Sequence, residues 1–198
     1  MDVVLIRHPA VAVDPGVCYG RSDVPLAASA QAGAQAGAQG VRERLDALRA
    51  PLPQRIWSSP LTRCASVGER LAQALGVPLQ YDGCWQEMDF GAWEMQRWDD
   101  IDRAALDAWA ADLMHACAHG GESVARFAAR VAQGVDATVQ ADAPQWAVTH
   151  AGVIRAFASQ VLRVPLDALL SRPVPFGGIV WLRMRDAAGA WEIVHWDA

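Results

Sequence analysis

Gln145-Trp146-Ala147-Val148-Thr149-His150 decides how this chain is read. An uncharged run of strand formers ends at a histidine, and residues 151–162 then follow with helical spacing. The same order appears elsewhere. Residues 3–6, Val-Val-Leu-Ile, form a continuous aliphatic run that stops at Arg7-His8, as a strand buried on both faces would. Residues 55–59 run to Pro60 and lead into helical spacing over residues 61–75, with Gly76 as the expected C-cap and residues 77–81 as a short third strand. Strands alternating with helices predict an α/β protein: a three-layer α/β/α, open, mostly parallel sheet, with ligands bound outside the carboxyl ends of the strands. Arg7-His8, residues 59–63 and His150 all fall at such ends.

The rest of the 198 residues fits around this frame as a single domain over residues 1–198. Residues 27–49, biased to Ala, Gln and Gly, predict a helix rather than a linker. Residues 93–121, rich in Trp and acidic residues, predict a helical excursion between the third and fourth strands. Residues 178–196 alternate around Ala188-Gly189 as a terminal hairpin would.

Composition removes whole classes of function. The chain is 53% hydrophobic and 20% charged, which excludes disorder and a coiled coil. Its net charge of -5 provides no basic footprint for nucleic acid. All 17 cations are arginine, and lysine and asparagine are absent, so P-loop and Schiff-base chemistry are excluded. The cysteines Cys18, Cys64, Cys84 and Cys117 form no CxxC pair, and the opening apolar run is too short for a leader or a membrane span. A cytoplasmic protein with reduced thiols is expected, acting with Arg, His and carboxylates.

Four strand-end features converge in this reading: Arg7-His8, Arg63 in SSPLTR, Glu87 in WQEMDFG and His150 in VTHAG. Together with their surroundings, LIRHP, WSSPLTRC, EMDFGAWE, GGES and VTHAGVIRA, they resemble the ordered motifs of the histidine phosphatase superfamily, also called phosphoglycerate-mutase-like. The likeness runs from residue 3 to residue 157. The stretch CYGRSDVPL, residues 18–26, further resembles the α-ribazole phosphatase branch, which acts in cobalamin nucleotide-loop assembly. The resemblance implies a phosphomonoesterase acting on a small phosphorylated substrate without metal or cofactor. In it His8 is the nucleophile, Arg7, Arg63 and His150 hold the phosphoryl group, and Glu87 is the acid and base.

One departure from the family pattern stands beside the nucleophile. Pro9 replaces the usual glycine after His8 and cannot donate a backbone N–H. Arg21 and the backbone at Tyr19-Gly20 are the expected compensation, with Ala151 and Glu122 as further substrate-binding positions. Two rival readings stay open: a mutase or broad-specificity phosphatase of the same superfamily, and a catalytically silent module that binds phosphorylated ligands. His115 and His119, four apart, are read as helix C-terminal residues in preference to zinc ligands. Of the nine tryptophans, Trp85 and Trp93 are the ones expected to line the pocket. Cys64 and Cys84 are expected to be buried thiols rather than a redox switch, and His195 to be structural. Monomer and homodimer are both compatible with the sequence.

Overall fold

The computed structural model describes residues 1–28, 34–141, 143–185 and 189–197. Its strands are β1 (Asp2–Arg7), β2 (Arg55–Ser58), β3 (Leu79–Tyr81), β4 (Gln145–Thr149), β5 (Ile179–Met184) and β6 (Trp191–Trp196). They form one sheet in the order β3-β2-β4-β1-β5-β6. The first four of these run parallel, while β5 pairs antiparallel with β1 and β6 antiparallel with β5. The helices are α1 (Ala34–Ala47), α2 (Thr62–Leu75), α3 (Arg103–Ala111), α4 (Val124–Val139), α5 (Ala151–Leu162) and α6 (Asp167–Leu170).

The period-two geometry of the strands divides the core into two layers. Val3, Leu5, Trp57, Ala147, Val180 and Leu182 face one side, where they pack with Phe127 and Val131 of α4 and Val153 and Phe157 of α5. Val4, Ile6, Ile56, Trp146, Val148 and Trp181 face the other, against Val41 and Leu45 of α1 and Val67 and Leu71 of α2. Both faces of the sheet are therefore covered, which is why residues 3–6 read as an unbroken apolar run.

Several expectations shift at their edges. Helix α1 stops at Ala47, short of Arg49, which takes a left-handed φ of 53°; the proposed start of this helix falls partly on residues 29–33, outside the described residues. The third strand begins at Leu79 rather than Val77. Gly76, φ 66°, caps α2 through its N–H to the Ala72 carbonyl, as expected. At the other end of α2, Leu61 supplies no side-chain cap. The Asp23 carboxylate takes over from a distant loop, accepting the Thr62 N–H and hydroxyl, each at 2.7 Å. The excursion consists of short 3-10 turns and the single helix α3. His115 and His119 lie beyond α3, so they share no helical face. His115 is exposed beside Asp112, whereas His119 is buried against Trp93 and Phe90. Among the described residues no group of His, Cys, Asp and Glu could hold a metal ion, and no helix is long and apolar enough to cross a membrane.

Phe157, fully buried and stacked on Trp85 with ring centroids 6.0 Å apart, tests this core. Phe157→Ala should cost about 3–5 kcal/mol in urea denaturation; a loss below about 1 kcal/mol would contradict the packing.

Candidate active site

The site forms where β1, β4 and β2 end side by side. In the β1–β4 ladder Arg7 stands opposite Thr149, and Ser58 of β2 opposite Val148. The pairing extends one residue further, with His8 N–H to the Thr149 carbonyl and Ser59 N–H to the Val148 carbonyl, each at 3.0 Å. His8 and His150 are thereby neighbours, with ring centroids 5.2 Å apart. Helix α2 starts just after Ser59 and carries Arg63 in its first turn. A cavity of about 340 Å³ is lined by Arg7, His8, Tyr19, Arg63, Glu87, Trp98, His150 and Arg155. The larger hollow of about 570 Å³ between α1 and α2 holds none of these residues.

Backbone contacts orient the nucleophile candidate. His8 Nδ1 lies 2.7 Å from the Pro9 carbonyl oxygen, which can only accept, so the proton sits on Nδ1 and Nε2 keeps its lone pair. Pro9 therefore contributes through its carbonyl what its missing N–H cannot. Burial, reinforced by the nearby charges of Arg63 and Arg7 and opposed by the Pro9 hydrogen bond, pulls the His8 pKa from 6.5 down to about 3. His150 is held well below its ordinary value, first by burial and then by His8, Arg63 and Arg7. It is thus a neutral imidazole rather than an additional cation. Its Nε2 meets the Ser59 hydroxyl at 2.9 Å.

Three guanidiniums surround these rings, and their direct protein partners are mainly carbonyl oxygens. Arg7 donates to Val174 O at 2.6 Å and lies 4.0 Å from the centre of the Phe176 ring. Arg63, 0% exposed, donates to Ser22 O and Gly20 O at 2.7 and 2.5 Å. Arg155 donates twice to Arg172 O, at 3.1 and 3.0 Å. The Nε groups of Arg7 and Arg63 are buried with no hydrogen-bond partner. The pocket thus holds more positive charge than its protein neighbours neutralise, as an anion site requires.

Glu87 supplies a carboxyl group to the same cavity. Its Oε2 accepts the Gly152 N–H of α5 at 3.0 Å, and a Cβ on Gly152 would lie 2.2 Å from Oε1. Only glycine allows that approach. A second close approach occurs at Gly20, where a Cβ would lie 1.8 Å from the Met88 carbonyl oxygen. A further cavity of about 260 Å³ adjoins the first and shares Tyr19, Glu87 and Arg155 with it. Its remaining wall is mainly apolar, including Met88, Phe90, Trp109, Phe127 and Leu166, with Ala151 at the start of α5.

Not every expected residue reaches the pocket. Arg21 is exposed and turns toward Asp89 and Gln86 at 3.6 and 3.4 Å. Glu122 pairs with Arg130 and accepts the Asp89 N–H, so it braces a loop instead of lining the cavity. Trp85 belongs to the core against Phe157, and Trp93 packs on Trp109 and His119; Trp98 and Trp109 are the tryptophans at the cavities. Cys64 and Cys84 are buried, and burial raises both thiols, Cys84 to about 12. His195 bonds Asp197 near the end of the chain. Arg155, which no sequence motif singles out as a site residue, stands in VTHAGVIRA one helical turn after Ala151 and on the same face.

Residues 3–198 match the profile of the histidine phosphatase superfamily, branch 1. This chain belongs to that superfamily. No protein of curated function matches its sequence. Solved structures do. A mycobacterial glucosyl-3-phosphoglycerate phosphatase is 24% identical, with a TM-score of 0.81 over 100% of this chain and 98% of its own. The α-ribazole phosphatase of Shigella flexneri is 22% identical, with a TM-score of 0.85 over 100% and 96%. An Entamoeba histolytica phosphoserine phosphatase variant, in complex with phosphoserine, is 20% identical, with a TM-score of 0.79 over 98% and 95%. These likenesses show a fold shared with phosphatases of different substrates.

The buried neutral histidines of this phosphatase set a sign on its acid stability. The unfolded chain binds protons as pH falls below about 6.5, while folded His8 resists until about 3. The stabilisation is therefore present above pH 6.5 and lost progressively below it, by about 1.4 kcal/mol per pH unit for one such group. Urea denaturation at pH 7, 6 and 5 should show falling stability, with His8→Gln flattening the decline by about that slope below pH 6. Parallel declines in the two proteins would contradict a buried, neutral His8.

Proposed function

We propose that this protein is a phosphomonoesterase working through a phosphohistidine on His8, with α-ribazole 5'-phosphate as its substrate. The observation that carries this reading is the His8 ring itself: a neutral imidazole with its proton engaged on Nδ1 and Nε2 available, in a pocket shared with Arg7, Arg63, Arg155 and His150.

In the first step His8 Nε2 attacks phosphorus. The N–P bond forms as the ester O–P bond breaks, and the electron pair of that bond leaves on the ester oxygen. The Glu87 carboxyl gives this oxygen its proton. In the second step a water oxygen bonds to phosphorus while the Glu87 carboxylate takes a proton from that water. The N–P electron pair returns to Nε2, and inorganic phosphate leaves. Arg7 and Arg63 stay charged throughout and stabilise the phosphoryl oxygens, with His150 adding one neutral donor. Phe176, 46% exposed, rests on Arg7 and beside His8 with ring centroids 5.6 Å apart.

The adjoining apolar cavity supports the choice of substrate. A glycerate, a serine or a sugar would leave charged or hydroxyl groups against Met88, Phe90 and Leu166 with few partners, at a cost for each buried polar group. A ribosylated benzimidazole places an apolar ring system there. The CYGRSDVPL stretch, which packs on this wall at Gly20 and caps α2 through Asp23, resembles the corresponding branch of the superfamily.

Two measurements check the reading. Brief exposure to α-ribazole 5'-phosphate should leave acid-labile phosphate on His8, and His8→Ala should lose at least about a thousandfold in rate; sustained turnover by that variant would contradict it. Across α-ribazole 5'-phosphate, glucosyl-3-phosphoglycerate, phosphoserine and 3-phosphoglycerate, kcat/KM should be highest for the first. Isomerised 3-phosphoglycerate would instead make the protein a mutase.

A further inference from the structure

Glu87 sits on a loop with few partners in the sheet, yet its carboxyl has to meet one reacting oxygen. We propose that Arg130 is the positioning residue for Glu87, its guanidinium gathering the backbone carbonyls of Gly83, Cys84, Gln86 and Glu87 while Glu122 locks it in place. The inference rests on Glu87 being the acid described above.

The geometry is a single fork serving a whole loop. Arg130 Nη1 donates to Gly83 O at 2.8 Å and Gln86 O at 2.9 Å, with Cys84 O at 3.4 Å. Arg130 Nη2 donates to Glu87 O at 3.2 Å. The other edge of the guanidinium makes a bidentate pair with Glu122, Nε to Oε1 at 2.8 Å and Nη2 to Oε2 at 2.7 Å. Glu122 then continues the brace past the acid: its Oε2 accepts the Asp89 N–H at 3.2 Å, and its own N–H donates to Asp89 O at 2.9 Å.

The pair therefore grips the loop on both sides of Glu87. Beyond it, the Glu87 side chain is held by the Gly152 N–H. Arg130 itself stands on α4, whose Val124, Phe127 and Val131 are anchored in the core. The clamp thus refers the loop to a rigid element. A planar guanidinium with five N–H groups can serve four carbonyls and a carboxylate together, which a single ammonium cannot. Arg130 does not line the phosphate cavity, and its hydrogen bonds run to the loop that carries Glu87 and to Glu122.

Leaving groups of different basicity separate positioning from plain structural damage. A 2,4-dinitrophenolate departs without a proton, whereas an alkoxide needs one from Glu87. The full chain is assayed with 2,4-dinitrophenyl phosphate and 2-phenylethyl phosphate, reading kcat/KM, which reports the first transfer. Glu87→Gln is the reference and should lose about 100-fold more on the alkyl ester than on the aryl ester. Arg130→Gln should show the same split at about 10- to 100-fold, and Arg130→Lys a smaller one.

Where Arg130→Gln does not fold, Glu122→Gln, which keeps the shape of the brace, carries the same comparison and should show a split in the same direction. Equal losses on both esters, or no loss, in the Arg130 and Glu122 variants would overturn the inference while the Glu87 reference stands. Absence of the split in Glu87→Gln itself would instead overturn the assignment of the acid, and the inference with it.

Discussion

The parallel pairing of β1 with β4, in the register that sets Arg7 opposite Thr149, is the constraint on which the site depends. His8 and His150 are 142 positions apart in the chain, and this ladder makes them neighbours. A slip of one residue would send Val3 and Leu5 to the layer of Val4 and Ile6, exchanging the two halves of the core. Burial on both faces therefore fixes the register, and the register fixes the two imidazoles. The pairing of β2 with the other side of β4 adds the start of α2, and with it Arg63.

The charge arrangement follows from that convergence. Arg7, Arg63 and Arg155 lean on backbone carbonyls, which satisfy N–H groups without cancelling charge. Burial makes a protonated imidazole costly, and the uncompensated cations add to the effect, so both histidines are held neutral. The same surplus attracts a phosphoryl group. The cations that serve the chemistry proposed for His8 thus also add to the pull of burial on its pKa.

Much of this was legible in the residues. Unbroken apolar runs that end at Arg7-His8, Ser58-Ser59 and Thr149-His150 marked parallel strands and their active ends. What escaped was contact made by fold rather than by motif. Glu122 looked like a ligand to substrate because its partner, Arg130, stands two helical turns away on α4 in a stretch with no distinctive spacing. Arg21 looked like a phosphate contact, yet its backbone N–H goes to Glu94 and its side chain to Asp89. The positions of Trp85 and Trp93 near Glu87 along the chain misled for the same reason: one faces the core, and the other packs with Trp109 and His119.

The central claim, a neutral His8 with its proton on Nδ1 and a free Nε2, is tested most directly by nitrogen NMR of the ¹⁵N-labelled imidazole. Between pH 8 and pH 5 the unprotonated Nε2 resonance and the protonated Nδ1 resonance should not move. A ring that titrates near 6.5, or one that carries its proton on Nε2, would contradict it.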